Sequence, residues 1–244
     1  MKEESIVINN IQIPIVIKSF KTSKTVKIFF KNDKITITKP TRFSFKNLTP
    51  IIKKNEQFIY DSYLKGLKAK EETIKNWRTG ETIQYKGEEY KIIREVCGGS
   101  RVKIEIFEKE KLMNVRIPNS FSEEDIKYTV DKGIKRMFRN NTEVYLQDKL
   151  PYWSAVTGIV YNSYAVRDAK TRYGSCVKRT KALRFSSRLI MLPPIVIDAI
   201  IVHELCHIIH ANHSKEFYDL VEKYMPNYRK IDRWLKRNSA NIII

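Results

Sequence analysis

All four histidines of this 244-residue chain fall within eleven positions, His203-Glu204-Leu205-Cys206-His207-Ile208-Ile209-His210-Ala211-Asn212-His213. Imidazole is a neutral nitrogen ligand for divalent transition metals, and a neighbouring carboxylate can accept a proton. Residues four apart on a helix are separated by ~6 Å along the axis and share a face, so His203 and His207 can reach one ion. Glu204 then sits beside that ion without ligating it, where it can take a proton from water that the metal activates. A catalytic zinc uses three protein ligands and keeps one position open. His210 and His213 compete for the third place. His210 lies on the same stripe but ~10 Å along the axis from His203, too far for easy convergence. His213 follows Ala211-Asn212, and Asn suits the left-handed backbone that ends a helix, so the His213 ring can return from a turn. The expected site is Zn2+ on His203, His207 and His213, with Glu204 as general base and His210 flanking. Without a metal or hydrogen bonds, a Glu among histidines on so apolar a helix would carry a large desolvation cost.

Other polar residues are candidates for lesser roles. Arg172 and Ser175 lie in a glycine-containing loop, Arg172-Tyr173-Gly174-Ser175-Cys176, and are candidates to contact substrate or stabilise an oxyanion. Cys206 points about 60° away from the His203–His207 stripe, which makes it a packed thiol. The three cysteines, Cys97, Cys176 and Cys206, are odd in number and unpaired in spacing. They suggest reduced thiols, not a disulfide framework or a four-cysteine zinc site.

The elements that must position these residues are legible as changes of period. Alternation predicts strands over residues 11–17, 26–30 and 35–38, the last two joined by Lys31-Asn32-Asp33-Lys34. A helical period follows from about Leu48, with Ile51, Ile52, Phe58, Ile59 and Leu64 on one face. Strands return at 83–85, 90–96, 102–107 and 112–117. Ser122 before Glu123, Glu124 and Asp125 marks a helix N-terminus, and that helix is expected to run to about Leu150. Residues 159–166 and 183–190 read as strands. Pro193-Pro194 opens the apolar helix carrying the histidines, with Asn212 as its expected end. Ser214 caps a helix reaching about Tyr224, and residues 228–237 form the last one. No repeat is visible in the sequence. The expected class is α+β, with a strand-rich domain over 1–118 and a mainly helical metal-binding domain over 119–244.

Composition bounds the rest. Hydrophobic residues are 42% and charged residues 30%, too apolar for a disordered chain. The longest apolar runs stop short of the roughly 20 residues that span a membrane. The N-terminus lacks the apolar core of a signal peptide, so a cytoplasmic location is expected. The net charge of +19 is dispersed: residues 1–120 hold 25 Lys and Arg against 14 Asp and Glu, a balance of +11. Such a field favours anionic partners, whether nucleotides, nucleic acid or acidic polypeptides.

A run of motifs is formed by Arg172-Tyr173-Gly174-Ser175-Cys176, Leu183-Arg184-Phe185, Arg188-Leu189-Ile190, Pro193-Pro194 and Val202-His203-Glu204-Leu205-Cys206-His207. It continues through Asn212-His213-Ser214, Phe217, Met225-Pro226-Asn227-Tyr228 and Trp234-Leu235. The resemblance these motifs carry is to the YgjP-like metallopeptidase family. It implies a zincin-like α+β domain with zinc on His203, His207 and His213 and Glu204 as the catalytic glutamate. Tyr173 stands where the family usually has Trp, and Ser186-Ser187 where it often has Asn-Trp. His210 replaces the Gly of the metzincin spacing, so that class is not assigned. Three functions are compatible with these residues: a metallopeptidase, a metal-dependent nucleotide pyrophosphatase drawing on the basic surface, and a nucleic-acid-binding module with structural zinc. Structural zinc is normally closed by four protein ligands, and no fourth is evident here.

Overall fold

The computed structural model describes residues 2–73, 75–169 and 171–238, and the chain divides into two compact units, Met1–Ile74 and Lys75–Ile244. The fold is α+β. In the first unit, strands β1 (Lys2–Ile8), β2 (Ile11–Phe20), β3 (Lys27–Lys31) and β4 (Lys34–Pro40) form a sheet of order β1-β2-β4-β3. Asn32 and Asp33, at φ 52° and 59°, make the two-residue turn between β3 and β4 that the right-handed twist of a hairpin favours. Ile13, Ile15, Ile17, Ile35 and Ile37 are buried against Leu48 of α1 (Phe45–Lys54) and Ile59 of α2 (Glu56–Thr73). The helical period beginning near Leu48 is thus divided at Asn55, whose N–H caps α1 through the Ile51 and Ile52 carbonyls.

The second unit opens with a sheet of the same design. Strands β5 (Thr82–Tyr85), β6 (Glu88–Cys97), β7 (Lys103–Phe107) and β8 (Leu112–Pro118) take the order β5-β6-β8-β7, with β6 parallel to β8 as β2 is to β4. The repeat absent from the sequence is therefore present in topology, because pleat alternation and turns specify it without shared residues. Helix α3 (Glu123–Thr157) starts at a capping box between Ser122 and Asp125. Its residues Ile126, Val130 and Ile134 share one core with Ile92, Met113 and Val115, and the Trp77 indole donates to Asp131 at 2.6 Å. The division at 74/75 thus differs from the expected boundary after 118, which falls inside the second unit, because β5–β8 have their apolar face on α3.

Helix α3 also passes the expected end at Leu150. Pro151 forgoes one backbone bond, while Leu150 and Thr157 are buried and the left-handed Gly158, at φ 69°, supplies the stop. Beyond it, β9 (Ser163–Arg167), β10 (Gly174–Val177) and β11 (Ala182–Ser186) form a sheet of order β10-β11-β9. Strands β9 and β11 are shorter than expected: residues 159–162 precede β9, and Ser187–Met191 turn into a 3₁₀ segment. Helices α4 (Pro194–Ile209), α5 (Lys215–Tyr224) and α6 (Tyr228–Asn238) complete the chain, and α4 is buried along most of its length.

Candidate metal centre

Helix α4 ends at Ile209, earlier than Asn212, with His210 extended at φ −113° and ψ 111°. The Lys178 ammonium donates to the Ile209 carbonyl at 2.5 Å, satisfying an acceptor that the helix end leaves free. This early exit gives the chain three residues in which to turn back before His213. Ser214 then caps α5 by accepting from the Phe217 N–H, which fixes the Phe217 ring beneath the histidines.

The three expected ligands converge. His203 Nε2 lies 3.0 Å from His207 Nε2 and 3.2 Å from His213 Nε2, and the three donor atoms all fall within 4.8 Å of one another. Tetrahedral zinc with Zn–N bonds of ~2.0–2.1 Å requires nitrogen separations of roughly 3.3 Å, so the spacing fits such an ion. Each helical histidine is held from its other nitrogen: His207 Nδ1 donates to the His210 carbonyl at 3.0 Å, and His203 Nδ1 meets the Tyr228 hydroxyl at 2.6 Å. A carbonyl only accepts, so the His207 proton is on Nδ1 and its Nε2 lone pair faces the cluster. Phe217, fully buried, stacks on His207 at 4.5 Å and meets the edges of His203 and His213 at 4.9 and 5.0 Å. Burial, with His207 and His213 alongside, pushes His203 down to about 3, and burial lowers His207 as well. Both imidazoles are neutral near pH 7, the form that ligates.

Glu204 is 5% exposed, and its Oε2 is buried with no hydrogen-bonding partner among the described residues. Burial pushes its carboxyl up to about 8, against the opposing pull of Arg172. An unpartnered carboxyl oxygen beside three converging ring nitrogens leaves polar atoms that an ion and water can satisfy. Gly174 makes room for it. A Cβ there would come within 2.5 Å of Glu204 Oε1 and 2.6 Å of its Cγ, so only glycine lets β10 lie against the carboxylate.

Arg172, Ser175, Cys176 and Lys178 line one cavity of about 460 Å³ with Glu204 and the three imidazoles. Ser175 belongs to strand β10 instead of the expected loop, paired with Arg184 of β11, and Arg172 precedes the strand. Burial and the Glu204 charge push the Cys176 thiol up to about 11, and burial pushes Cys206 up to about 12, so both remain thiols at neutral pH. Ser186 accounts for its place in the sequence: its N–H donates to the Tyr173 carbonyl and its hydroxyl to that of Ala169, tying the approach to β10. Gly174, Phe217 and Tyr228 stand in the sequence motifs, and His210 was expected to flank the site, but the motifs gave none of the three a role and did not single out the His210 carbonyl.

An α+β chain whose buried helix gathers three imidazoles beside a carboxylate, under an open polar cavity, has the layout of a metal-dependent hydrolase. A family model described as YgjP-like, metallopeptidase domain, matches residues 24–238, and the chain belongs to that family. No curated protein matches. Among solved structures, the metallopeptidase zymogen abylysin of Pyrococcus abyssi is similar over 38% of this chain and 93% of its own, at 21% identity and a TM-score of 0.35. Among the described residues no helix is long and apolar enough to cross a membrane.

Proposed function

We propose that this chain is a zinc-dependent peptidase in which His203, His207 and His213 hold the ion and Glu204 is the general base. The observation that carries the reading is the convergence of the three Nε2 atoms at 3.0 and 3.2 Å beside a buried, unpartnered carboxylate. Zinc so held would activate water and polarise a carbonyl. The Tyr228 hydroxyl and the His210 carbonyl fix the ring orientations. Glu204, shifted to about 8, lies close to the neutral range in which a group both takes and returns a proton, and a nearby cation would pull that value lower. Gly174 lets the carboxylate face the cavity, while Arg172 and Ser175 at its wall orient substrate or stabilise developing negative charge.

The cationic side chains in the same cavity, Arg172 and Lys178, favour a second reading in which the scissile bond is a phosphoanhydride of a nucleotide. Structural zinc fits less well, since three ligands and an open cavity of about 460 Å³ leave the metal accessible. The discriminating experiment is a hydrolysis screen of the metal-loaded chain against peptide libraries and nucleoside triphosphates, with Glu204→Gln as control. Peptide cleavage lost in that variant supports the first reading. Pyrophosphate release without peptide cleavage would replace it by the second.

A further inference from the structure

A second cavity, of about 610 Å³, lies away from the histidines, between the edge strand β7 and helix α3. Its floor is Val102, Ile104 and Met137, its sides include Thr129, and its rim carries Lys132 and Arg136. None of its lining residues is acidic. The acids close by are engaged elsewhere: Asp131 accepts from Trp77, and Glu105, alternating to the other face of β7, pairs with Arg116 at 3.0 Å. Lys132 sits over the Tyr128 ring at 4.1 Å, and Arg136 makes no ion pair among the described residues.

The first unit shows what such a gap holds when it is filled. There the edge strand β3 puts Phe30 against Gly66 of α2, where a Cβ would meet the ring at 2.2 Å, and Tyr63 packs beside it at 6.0 Å. In the second unit the corresponding glycine, Gly133 of α3, receives only Ile104, whose Cδ1 would stand 2.7 Å from a Cβ. The smaller side chain leaves the space beyond β7 open. Ile104 and Ile106 face α3 while Lys103, Glu105 and Phe107 face outward, so the apolar side of β7 borders the cavity. The lining residues of α3 run from Thr129 to Asn141, which at ~1.5 Å per residue is ~18 Å of helix. Five or six extended residues at ~3.3 Å each cover that length.

We propose that β7 takes an additional strand from an acidic polypeptide of alternating sequence, whose apolar side chains fill this cavity and whose carboxylates meet Lys132 and Arg136. An unpaired edge supplies backbone donors and acceptors, and the cavity supplies side-chain pockets at every second residue. The charge selects the partner. A second copy of this chain would bring +19 and the same cationic rim, whereas an acidic strand is attracted to both.

The test uses the full chain and a fluorescent decapeptide of five Val-Glu repeats, measured by anisotropy. Binding is expected, with residues 103–107 slowed in amide exchange. Lys132→Glu with Arg136→Glu, both at exposed positions, should weaken it at least tenfold with the thermal melt unchanged. N-methylation of the four central peptide residues, which keeps the charge, should weaken it equally. Undiminished binding of the N-methylated peptide, protection outside β7, or binding that also accepts a Val-Lys peptide or a single-stranded oligonucleotide at the same site would overturn the proposal.

Discussion

At the residue scale the proposed centre separates into groups that would hold metal and groups that would move protons, and substitutions should separate them too. Removing His203, His207 or His213 as Ala should each abolish bound zinc, measured by elemental analysis, whereas His210→Ala should retain it, because the contact from residue 210 is its backbone carbonyl. Loss of zinc in His210→Ala would reject that assignment. Glu204→Gln should keep zinc and lower the hydrolysis rate by about 10²- to 10⁴-fold, the usual worth of a positioned base. Gly174→Ala is the sharper probe. Its new Cβ would displace the carboxylate by contact at 2.5 Å, so kcat should drop with zinc content intact. A fully active Gly174→Ala enzyme would show that Glu204 need not face the cavity. The three imidazoles were legible because helical spacing is local and four histidines in eleven residues leave few arrangements. Gly174 and Tyr228 were visible as motif residues but their partners were not, since contacts made across 30 and 25 residues leave no trace in spacing.

At the element scale the site depends on how α4 is launched and stopped. The β5–β6 turn docks where the helix begins: the Lys86 and Gly87 N–H groups donate to the Ile190 and Met191 carbonyls at 2.8 and 2.9 Å. Gly87 has φ +82°, and a Cβ there would lie 2.7 Å from Pro193 Cα. Gly87→Ala therefore combines left-handed strain of ~1–2 kcal/mol with a backbone clash that cannot relax cheaply. A marked fall in Tm is expected in calorimetry, and an unchanged Tm would mean that the turn does not brace α4. The lengths of these elements were harder to read than their existence. The sequence contains Pro151 and Asn212, both plausible stops, yet burial of Leu150 and Thr157 carries α3 past its proline, and Lys178 ends α4 before its asparagine. Tertiary contacts decide such ends, and local propensity does not see them. Alternation likewise revealed most strands but not their order, since a parallel pair such as β6 and β8 is set by the core they share.

At the scale of the whole molecule, zinc should act as a cross-link in the second unit. His203 and His207 belong to α4, and His213 stands one residue before the cap of α5, so one ion would join two helices and the turn between them. Without it, the Nε2 atoms of His207 and His213 lie 3.0 and 3.2 Å from that of His203, and Glu204 keeps a buried oxygen without a partner among the described residues. An ion bound by the folded chain and not by the unfolded one stabilises it by about 2.7 kcal/mol at a hundredfold excess over its Kd. Removing zinc with a chelator should therefore lower the Tm of the second unit, and adding zinc back should restore it. The first unit supplies no histidine, so any separate transition of residues 1–74 should not respond. His203→Ala provides the control: its Tm should start low and ignore both chelator and zinc. If wild type melted identically with and without chelator while elemental analysis showed the zinc removed, the ion would not bridge α4 and α5. The convergence of the three rings would then come from packing on Phe217 alone.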